Sequence, residues 1–227
     1  MKSAVIIPAA GLSTRMGAAK QLMTLGDKPV LFRTLEIFEN HEEIDEIVVV
    51  TSQDVAEFIK THKFAFKKIK AVVEGGTYRQ ASVWAGLLAL NSDVDWVLIH
   101  DGARPLVTRQ AISDILACVR KGHCAVSGVK SKDTIKIADD GNLVVGTPDR
   151  DQAWLVQTPQ GFPHALIKKA HQEAMEEGFI GTDDAVLIER LGIPVHMVEG
   201  DYCNIKLTTP GDISIAEALL HMKQSMK

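Results

Sequence analysis

Ala4 to Lys20 reads AVIIPAAGLSTRMGAAK, and the rest of the chain is interpreted outward from this stretch. Its first residues are short, apolar and rich in β-branched side chains, and Pro8 ends them, which is typical of a buried parallel strand. Small residues follow at the strand's carboxyl end, where the loops of an open α/β sheet bind ligands. Arg15 and Lys20 add two kinds of cation that bind phosphate oxygens. The stretch therefore predicts a loop that holds a polyphosphate.

Two common phosphate-binding patterns do not fit this loop. Gly11 and Gly17 are six residues apart and Ala18 follows the second glycine, so the P-loop pattern fails, and the dinucleotide pattern G-x-G-x-x-G is absent as well. From these residues alone, an ordinary surface turn with a solvated arginine and lysine stays open as the alternative. The following segments have to decide between the two.

Composition limits the classes of protein to which the chain can belong. Of its 227 residues, 46% are hydrophobic and 24% charged, and the formal charge is -4, which is typical of a soluble globular protein and argues against a nucleic-acid partner. No apolar run approaches the roughly 20 residues of a membrane span, and no signal peptide precedes the first strand, so we expect no membrane association and a cytoplasmic location. The cysteines Cys118, Cys124 and Cys203 lack C-x-x-C spacing, which argues against a disulfide framework or a zinc site.

A second glycine-bearing loop follows the third predicted strand. Strands are predicted at Glu46–Thr51 and Ile69–Glu74 with a helix between them, so the chain begins as βαβαβ. The segment Gly75–Arg79 then opens a helix, with Ser82 one turn further on. A tight turn would account for the two glycines, but the loop lies at the same sheet edge as Pro8 and is suited to closing over a base and ribose.

A carboxylate is predicted at the same edge. The apolar strand Trp96–Ile99 ends in the sequence HDGARP, residues 100 to 105, which places Asp101 opposite the predicted phosphate loop. Mg²⁺ takes one or two carboxylates together with substrate phosphate oxygens, so Asp101 is the metal candidate. The alternative is that Asp101 only caps a turn before Gly102. We assign His100 to packing and Arg104 to a structural ion pair.

The regular alternation of strands and helices breaks after residue 130. Residues 132–137 and 143–145 indicate a β-hairpin around an Asp-Gly turn, and the segment of about 131–153 forms an arm outside the βα pattern. A two-stranded hairpin is marginal alone, so it should pack on something, and a partner subunit is the economical candidate. The remaining strands and helices return to the sheet. We therefore expect one α/β domain over residues 1–227, Rossmann-like and three-layered, with a mostly parallel central sheet and a protruding arm for dimerisation.

The assembled motifs resemble the 2-C-methyl-D-erythritol 4-phosphate cytidylyltransferase family over nearly the whole chain. The matching segments follow the family's order: PAAG from Pro8 with Arg15 and Lys20, Gly75-Gly76 with Arg79 and Ser82, HDGARP from His100, Lys132-Asp133-Thr134, Thr158-Pro159-Gln160, Thr182-Asp183 and Asn204-Ile205-Lys206. The N-terminal loop is shared by nucleotidyltransferases at large, whereas the HDGARP block and the arm are narrower signals. The resemblance implies a nucleotide-diphospho-sugar transferase type of fold and the transfer of CMP from CTP to methylerythritol phosphate, with release of pyrophosphate, in non-mevalonate isoprenoid synthesis.

The resemblance also implies roles for individual residues. Arg15 and Lys20 would stabilise the transition state at the α-phosphate, Arg150 and Lys206 would position the sugar phosphate for attack, and Asp101 would lie near Mg²⁺ or another divalent cation. CTP would be bound by Pro8, Ala9, Ala10, Gly11, Gly76, Thr77, Arg79, Ser82, Asp101 and Gly102. Methylerythritol phosphate would be bound by Thr134, Arg150, Thr158, Thr182 and Lys206. The arm would reach across a homodimer, so that Thr134 and Arg150 serve the neighbouring site.

Two departures and three alternatives remain at this point. Ala19 stands where the family more often has proline, and Cys203 stands where some members carry an aspartate that could bind the metal. The acceptor could be another alditol phosphate, such as ribitol 5-phosphate. A nucleotide-binding module without catalysis is disfavoured because Arg15, Lys20 and Asp101 occur together. A glycosyltransferase is disfavoured because no Asp-x-Asp motif follows the Trp96–Ile99 strand.

Overall fold

The structure is a computed structural model that describes residues 1–11, 22–62 and 66–225. Along the chain the strands are β1 (Lys2–Pro8), β2 (Thr24–Leu25), β3 (Lys28–Pro29), β4 (Glu46–Thr51), β5 (Ile69–Glu74), β6 (Val94–Ile99), β7 (Cys124–Lys130), β8 (Ile137–Ala138), β9 (Val144–Gly146), β10 (Trp154–Pro163) and β11 (Val195–Glu199). The helices are α1 (Val30–Glu39), α2 (Gln53–Thr61), α3 (Arg79–Ala89), α4 (Arg109–Val119), α5 (His164–Glu176), α6 (Ala185–Arg190) and α7 (Pro210–Ser225).

Seven of these strands form one mixed sheet in the order β11-β7-β10-β6-β1-β4-β5. The strand β1 pairs in parallel with β4 and β6, and β4–β5 and β7–β11 are parallel as well. Only β10 runs antiparallel among these seven, against both β6 and β7. The prediction of an α/β fold with a mostly parallel central sheet is confirmed.

Helices cover both faces of the sheet because the buried strands alternate their side chains between two hydrophobic clusters. In β1, Val5 and Ile7 belong to one cluster, with residues of α1, α2 and α4, while Ala4 and Ile6 belong to the other, with residues of α3, α5 and α6. A third, smaller cluster lies under α7, where Ala216 packs with residues from outside the helix. The result is the predicted three-layer arrangement, with the loops left at the sheet edge.

The starts of two helices follow local backbone chemistry. Thr108 precedes α4, and its Oγ1 accepts a hydrogen bond from the backbone N–H of Ala111 at 3.1 Å. Pro29 ends β3 and directly precedes α1. This placement agrees with proline's preference for extended backbone when the next residue begins the helix.

The arm contains less β-strand than the sequence predicts. Its hairpin consists only of β8 and β9, which pair antiparallel. The hairpin closes around the predicted Asp-Gly turn: the Asn142 N–H donates to the Asp139 carbonyl at 3.0 Å, with Asp140 and Gly141 between them. The Oδ1 of Asp139 reinforces the turn by accepting backbone hydrogen bonds from Gly141 and Leu143, both at 2.9 Å, and Asn142 takes a positive φ of 62°. In the described part of the chain, no helix is both long and apolar enough to cross a bilayer.

Candidate active site

The first cavity lies beyond the carboxyl ends of β1, β5 and β6 and has a volume of about 410 Å³. Because β1 lies between β4 and β6, the chain connections leave it in opposite directions here, which is where open α/β sheets bind ligands. The cavity is lined by Pro8, Ala9, Ala10, Gly11, Gly76, Thr77, Tyr78, Arg79, Ser82, Asp101, Ala103 and Lys206. The glycine-bearing loops predicted from the sequence are therefore brought together.

The two loops touch through residues with very small side chains. A Cβ added at Gly75 would lie 2.1 Å from the Cβ of Ala10, so only glycine permits this approach. Ser82 holds the second loop from within α3, since its Oγ accepts from the Gly76 N–H at 3.1 Å and donates to the Tyr78 carbonyl at 3.2 Å. The contact between the loops leaves backbone groups, not bulky side chains, along much of the cavity wall.

Asp101 forms the charged floor of this cavity. Its carboxylate is 2.9 Å from the Nζ of Lys206, 3.1 Å from the Nε of Arg79 and 3.6 Å from the Nε of Arg104. Burial raises the pKa of this carboxyl, but the charges of Arg79, Lys206 and Arg104 outweigh burial and hold the pKa well below its usual range. Asp101 is therefore ionised at neutral pH.

A second cavity, of about 280 Å³, adjoins the first. It is lined by Arg79, Asp101, Arg104, Val156, Gln157, Thr158, Gln160, Thr182, Asp183 and Lys206. Three of these residues, namely Arg79, Asp101 and Lys206, also line the first cavity. We call these three residues the shared wall, because they line both cavities.

The segment that carries Lys206 is held to the site by hydrogen bonds that backbone carbonyls accept. The Leu207 N–H donates to the Ala103 carbonyl at 2.9 Å, and the Arg104 Nη1 donates to the Asn204 carbonyl at 2.7 Å. Asn204 in turn donates from its Nδ2 to the Thr158 carbonyl at 2.8 Å. The structural ion pair expected for Arg104 is thus accompanied by a direct role in holding the Lys206 segment.

Thr158 and His100 support Asp101 from below. The Oγ1 of Thr158 accepts from the Asp101 N–H at 3.1 Å and lies 3.0 Å from the Nδ1 of His100. Burial lowers the pKa of His100 to about 4, so the ring is neutral at pH 7 and its Nδ1 can accept the threonine proton. The packing role expected for His100 is confirmed, since the side chain is fully buried. Thr158 lines the second cavity, as its predicted role requires, with its hydroxyl already engaged by these two neighbours.

The remaining predicted residues fall into three groups. Gly102 does not line either cavity: its N–H donates to the Pro8 carbonyl and its carbonyl accepts from Thr34, so it packs the loop while Ala103 faces the cavity. Thr134 and Arg150 are exposed on the arm and line neither cavity of their own chain. The predicted catalytic residues Arg15 and Lys20 lie outside the described residues.

The sequence interpretation missed residues that line the cavities. Tyr78 and Ala103 stand inside motifs that were recognised, so their position next to Arg79 and Gly102 was the available signal. Gln160 and Asp183 line the second cavity and bond to each other, with the Gln160 Nε2 donating to the Asp183 Oδ2 at 2.8 Å. No local pattern links two residues this far apart in the chain.

The donor set fits a magnesium ion bound chiefly by its substrate. In the described ranges, no group of three or more histidine, cysteine or acidic residues is arranged to hold a metal alone. Asp101 is nevertheless an ionised carboxylate on the wall of the first cavity, and Mg²⁺ needs only one or two such ligands when phosphates supply others. Its partner Lys206 is 38% exposed at the side chain, so this ammonium can turn toward solvent while Arg79 and Arg104 still pair with the carboxylate.

The chain is similar in sequence to known proteins along nearly its full length. Residues 3–222 match the family model described as IspD, 2-C-methyl-D-erythritol 4-phosphate cytidylyltransferase. The protein of that name from Caldanaerobacter subterraneus is 46% identical over 225 residues, covering 97% of this chain and 99% of the relative. The one from Halalkalibacterium halodurans is 47% identical over 228 residues, covering 99% of each.

Solved structures agree with the sequence comparison. The 4-diphosphocytidyl-2C-methyl-D-erythritol synthase of Anaerococcus prevotii has a TM-score of 0.89 and 36% identity, covering 97% of this chain and 96% of that one. The 2-C-methyl-D-erythritol 4-phosphate cytidylyltransferase of Thermus thermophilus has a TM-score of 0.79 and 35% identity, covering 96% and 98%. These similarities show that the chain belongs to the 2-C-methyl-D-erythritol 4-phosphate cytidylyltransferase family.

Proposed function

We propose that this chain transfers CMP from CTP to 2-C-methyl-D-erythritol 4-phosphate, giving 4-diphosphocytidyl-2-C-methyl-D-erythritol and pyrophosphate. The observation that carries the proposal is the shared wall of Arg79, Asp101 and Lys206 between two adjoining cavities. Two anionic substrates that must react with each other need neighbouring sites with cations at the boundary. The two substrates are inferred from the activity for which the relatives are named, that of a 2-C-methyl-D-erythritol 4-phosphate cytidylyltransferase.

CTP occupies the first cavity in this proposal. Backbone groups of Pro8 to Gly11 and of Gly76 and Thr77 face the nucleotide, and Ser82 keeps the second loop in place through its bond to Gly76. Arg79 contributes a guanidinium at the phosphate end. Arg15 and Lys20, which follow Gly11 in the sequence, bind the triphosphate and oppose the charge that develops at the α-phosphorus.

The acceptor occupies the second cavity. Lys206 and Thr182 line it and hold the sugar phosphate. Thr158 fixes the position of Asp101 by accepting a hydrogen bond from its N–H. Thr134 and Arg150 reach the acceptor from the arm of a partner subunit, so the active form is a homodimer. This assignment is supported by their exposure on an arm whose apolar residues are also exposed, among them Leu143 and Val145.

The reaction needs no general base. The second pKa of a phosphomonoester is about 6, so the attacking oxygen is already largely ionised at pH 7. This oxygen forms a bond to the α-phosphorus of CTP while the bond from that phosphorus to the bridging oxygen of the β-phosphate breaks, and pyrophosphate carries away the electron pair. The chain's task is to align the two anions and to neutralise their charge with Arg15, Lys20, Lys206 and Arg150.

Asp101 is the residue that would hold Mg²⁺ in this proposal. A bound Mg²⁺ supplies further charge neutralisation on the phosphate oxygens. Asp101 keeps its negative charge for this purpose because the surrounding cations hold its pKa low. We propose a cytoplasmic location, in keeping with the three cysteines, which are free thiols.

Pyrophosphate release by the purified protein tests the proposal. The assay contains Mg²⁺ and pairs CTP with methylerythritol phosphate, in parallel with ribitol 5-phosphate as acceptor and with ATP, GTP or UTP as donor. Turnover only with CTP and methylerythritol phosphate is the expected result. Turnover only with ribitol 5-phosphate would replace the acceptor, and CTP binding without turnover on any acceptor would indicate a binding module.

A further inference from the structure

A buried acidic residue and a buried histidine lie next to the cavities without lining them. Asp184 and His171 are each only 1% exposed at the side chain. The Nε2 of His171 is 3.2 Å from one oxygen of Asp184, and the Nη1 of Arg79 donates to the other oxygen at 2.7 Å. The proposed chemistry uses neither Asp184 nor His171, so their burial requires a separate explanation.

Burying this pair is energetically unfavourable unless close partners compensate the lost hydration. A buried carboxylate loses its hydration, and only close cationic or hydrogen-bonding partners offset that loss. Burial raises the pKa of Asp184, but Arg79 and the hydrogen bond from His171 outweigh burial and hold the pKa below its usual range. Asp184 is therefore a fixed negative charge that faces the guanidinium of Arg79.

The orientation of the His171 ring indicates what it contributes. A carboxylate oxygen only accepts, so the Nε2 must carry the proton that bonds Asp184. Within the described residues, the Nδ1 of His171 has no hydrogen-bond partner although it is buried. The Trp84 ring stacks over the imidazole at a centroid distance of 6.4 Å and an angle of 14°. A side chain present only to fill space would not retain an unpaired buried nitrogen, so the bond to Asp184 is the feature that the ring provides.

Arg79 connects this pair to the shared wall. The Nε of Arg79 bonds Asp101 while its Nη1 bonds Asp184, so two carboxylates hold one guanidinium from two sides. Arginine has a long side chain that loses much rotamer freedom when held, and a 28% exposed one would otherwise turn toward solvent. Among the described residues, none forms a hydrogen bond with the remaining nitrogen, Nη2, which leaves it for a phosphate oxygen.

We propose that Asp184 and His171 are positioning residues for Arg79: His171 orients Asp184, and Asp184 holds the guanidinium at the boundary of the two cavities, where it binds a phosphate of the nucleotide. The proposal rests on the proposed function for the identity of that nucleotide. It assigns a role to α5, which carries His171, and to the start of α6, which Asp184 directly precedes. Loss of the pair releases the guanidinium, so CTP binding weakens without loss of the fold.

Calorimetric titration of CTP with Mg²⁺, in the absence of acceptor, tests this inference. His171→Leu removes the donor and should weaken CTP binding about tenfold, which corresponds to losing one hydrogen bond to a charged group. His171→Gln keeps a side-chain N–H and should recover most of the affinity. His164→Leu is the matched control, because His164 lies on the same helix and bonds only the Val94 carbonyl. This control should bind CTP like the unchanged protein.

A double-mutant cycle separates positioning from a merely structural role. If His171 acts through Arg79, His171→Leu should cause little further loss of CTP affinity in an Arg79→Ala background. Additive losses, or unchanged CTP affinity in folded His171→Leu protein, would overturn the proposal. If His171→Leu does not fold, Asp184→Asn is titrated in its place and interpreted in the same way. Because the titration omits the acceptor, failure of methylerythritol phosphate turnover would refute the proposed function while leaving the Arg79 result readable.

Discussion

The nucleotide cavity and the arm differ in whether contacts within one chain pair their charged groups and cover their apolar side chains. At the cavity, the buried charge of Asp101 is balanced by Arg79 and Lys206 of the same chain. On the arm, Leu143 and Val145 are 69% and 62% exposed. Contiguous exposed apolar residues mark interaction surfaces, and a two-stranded hairpin is marginal alone. The first region therefore balances its buried charge within one chain, whereas the second leaves apolar side chains exposed to solvent.

The largest expected effect is on the nucleotide side of this comparison. Lys20→Ala should lower kcat roughly 10²-fold or more, because an ammonium at the developing charge stabilises the transition state. Steady-state pyrophosphate release measures the loss, and circular dichroism checks the fold. Lys28→Ala is the control, since the Lys28 ammonium bonds Glu36 and should leave turnover nearly unchanged. A Lys20→Ala enzyme with full turnover would refute the role.

Mixing two defective variants tests whether the arm serves the neighbouring site. Arg150→Ala should be strongly impaired with methylerythritol phosphate. When it is combined with Lys20→Ala and the subunits are allowed to exchange, half the dimers are mixed and each has one intact site, so about a quarter of full activity should return. Each variant alone, at the same total concentration, is the control. No recovery despite proven exchange would mean that the arm folds back on its own chain.

A smaller effect is expected from a charge placed on the arm's apolar surface. Val145→Asp would bury a carboxylate without a partner in a dimer interface, so dimerisation should weaken at least about tenfold. Sedimentation equilibrium measures the dissociation constant. Ile215→Asp is the control, because Ile215 is 54% exposed but lies on α7, outside the arm. Equal weakening by both variants would contradict the assignment of the interface to the arm.

The smallest expected effect concerns a histidine remote from both regions. Burial lowers the pKa of His41, and the positive charges of Arg109 and Lys68 lower it further. The hydrogen bond to the Arg109 carbonyl and the charge of Glu43 raise this pKa, but they do not outweigh burial. The unfolded chain therefore binds a proton more readily than the folded one, so stability falls as the pH drops below about 6.5, by at most about 1.4 kcal/mol per pH unit.

Urea unfolding between pH 7 and pH 5 measures this dependence. His41→Gln should flatten the slope of the unfolding free energy against pH, since it removes the titrating group. His62→Gln replaces an exposed histidine and should keep the original slope. A slope that His41→Gln leaves unchanged would assign the acid sensitivity to other groups.

Local patterns were sufficient for the parts of the fold that neighbouring residues determine. The alternation of Ala4 to Ile7 between two clusters, and the cap by Thr108, follow from spacing and side-chain type alone. The positions of most cavity residues could also be predicted from the sequence, because parallel strands end at one edge of the sheet and their loops meet there. The same logic located Asp101 but could not reveal which cations surround it.

The shared wall lies beyond such patterns because its contacts join distant parts of the chain. Arg79 and Asp184 are 105 residues apart, and nothing near either residue indicates the other. The turn of the arm did follow from local residues, since the Asn142 N–H donates to the Asp139 carbonyl across Asp140 and Gly141. Gly102 lines neither cavity whereas its neighbour Ala103 lines the first, because the pattern indicates a loop but not which residue of that loop faces the cavity.

The single antiparallel strand among the seven has a consequence for how the arm can change. Because β10 runs against β7, with Trp154 opposite Lys130, the two ends of segment 131–153 emerge side by side at one sheet edge. Lengthening a segment whose ends are already close costs little chain entropy, since each doubling of loop length adds only about 0.6 kcal/mol to the free energy of loop closure. The arm can therefore gain or lose residues at its tip, and adapt to a changed partner, without shifting the strands that hold the nucleotide.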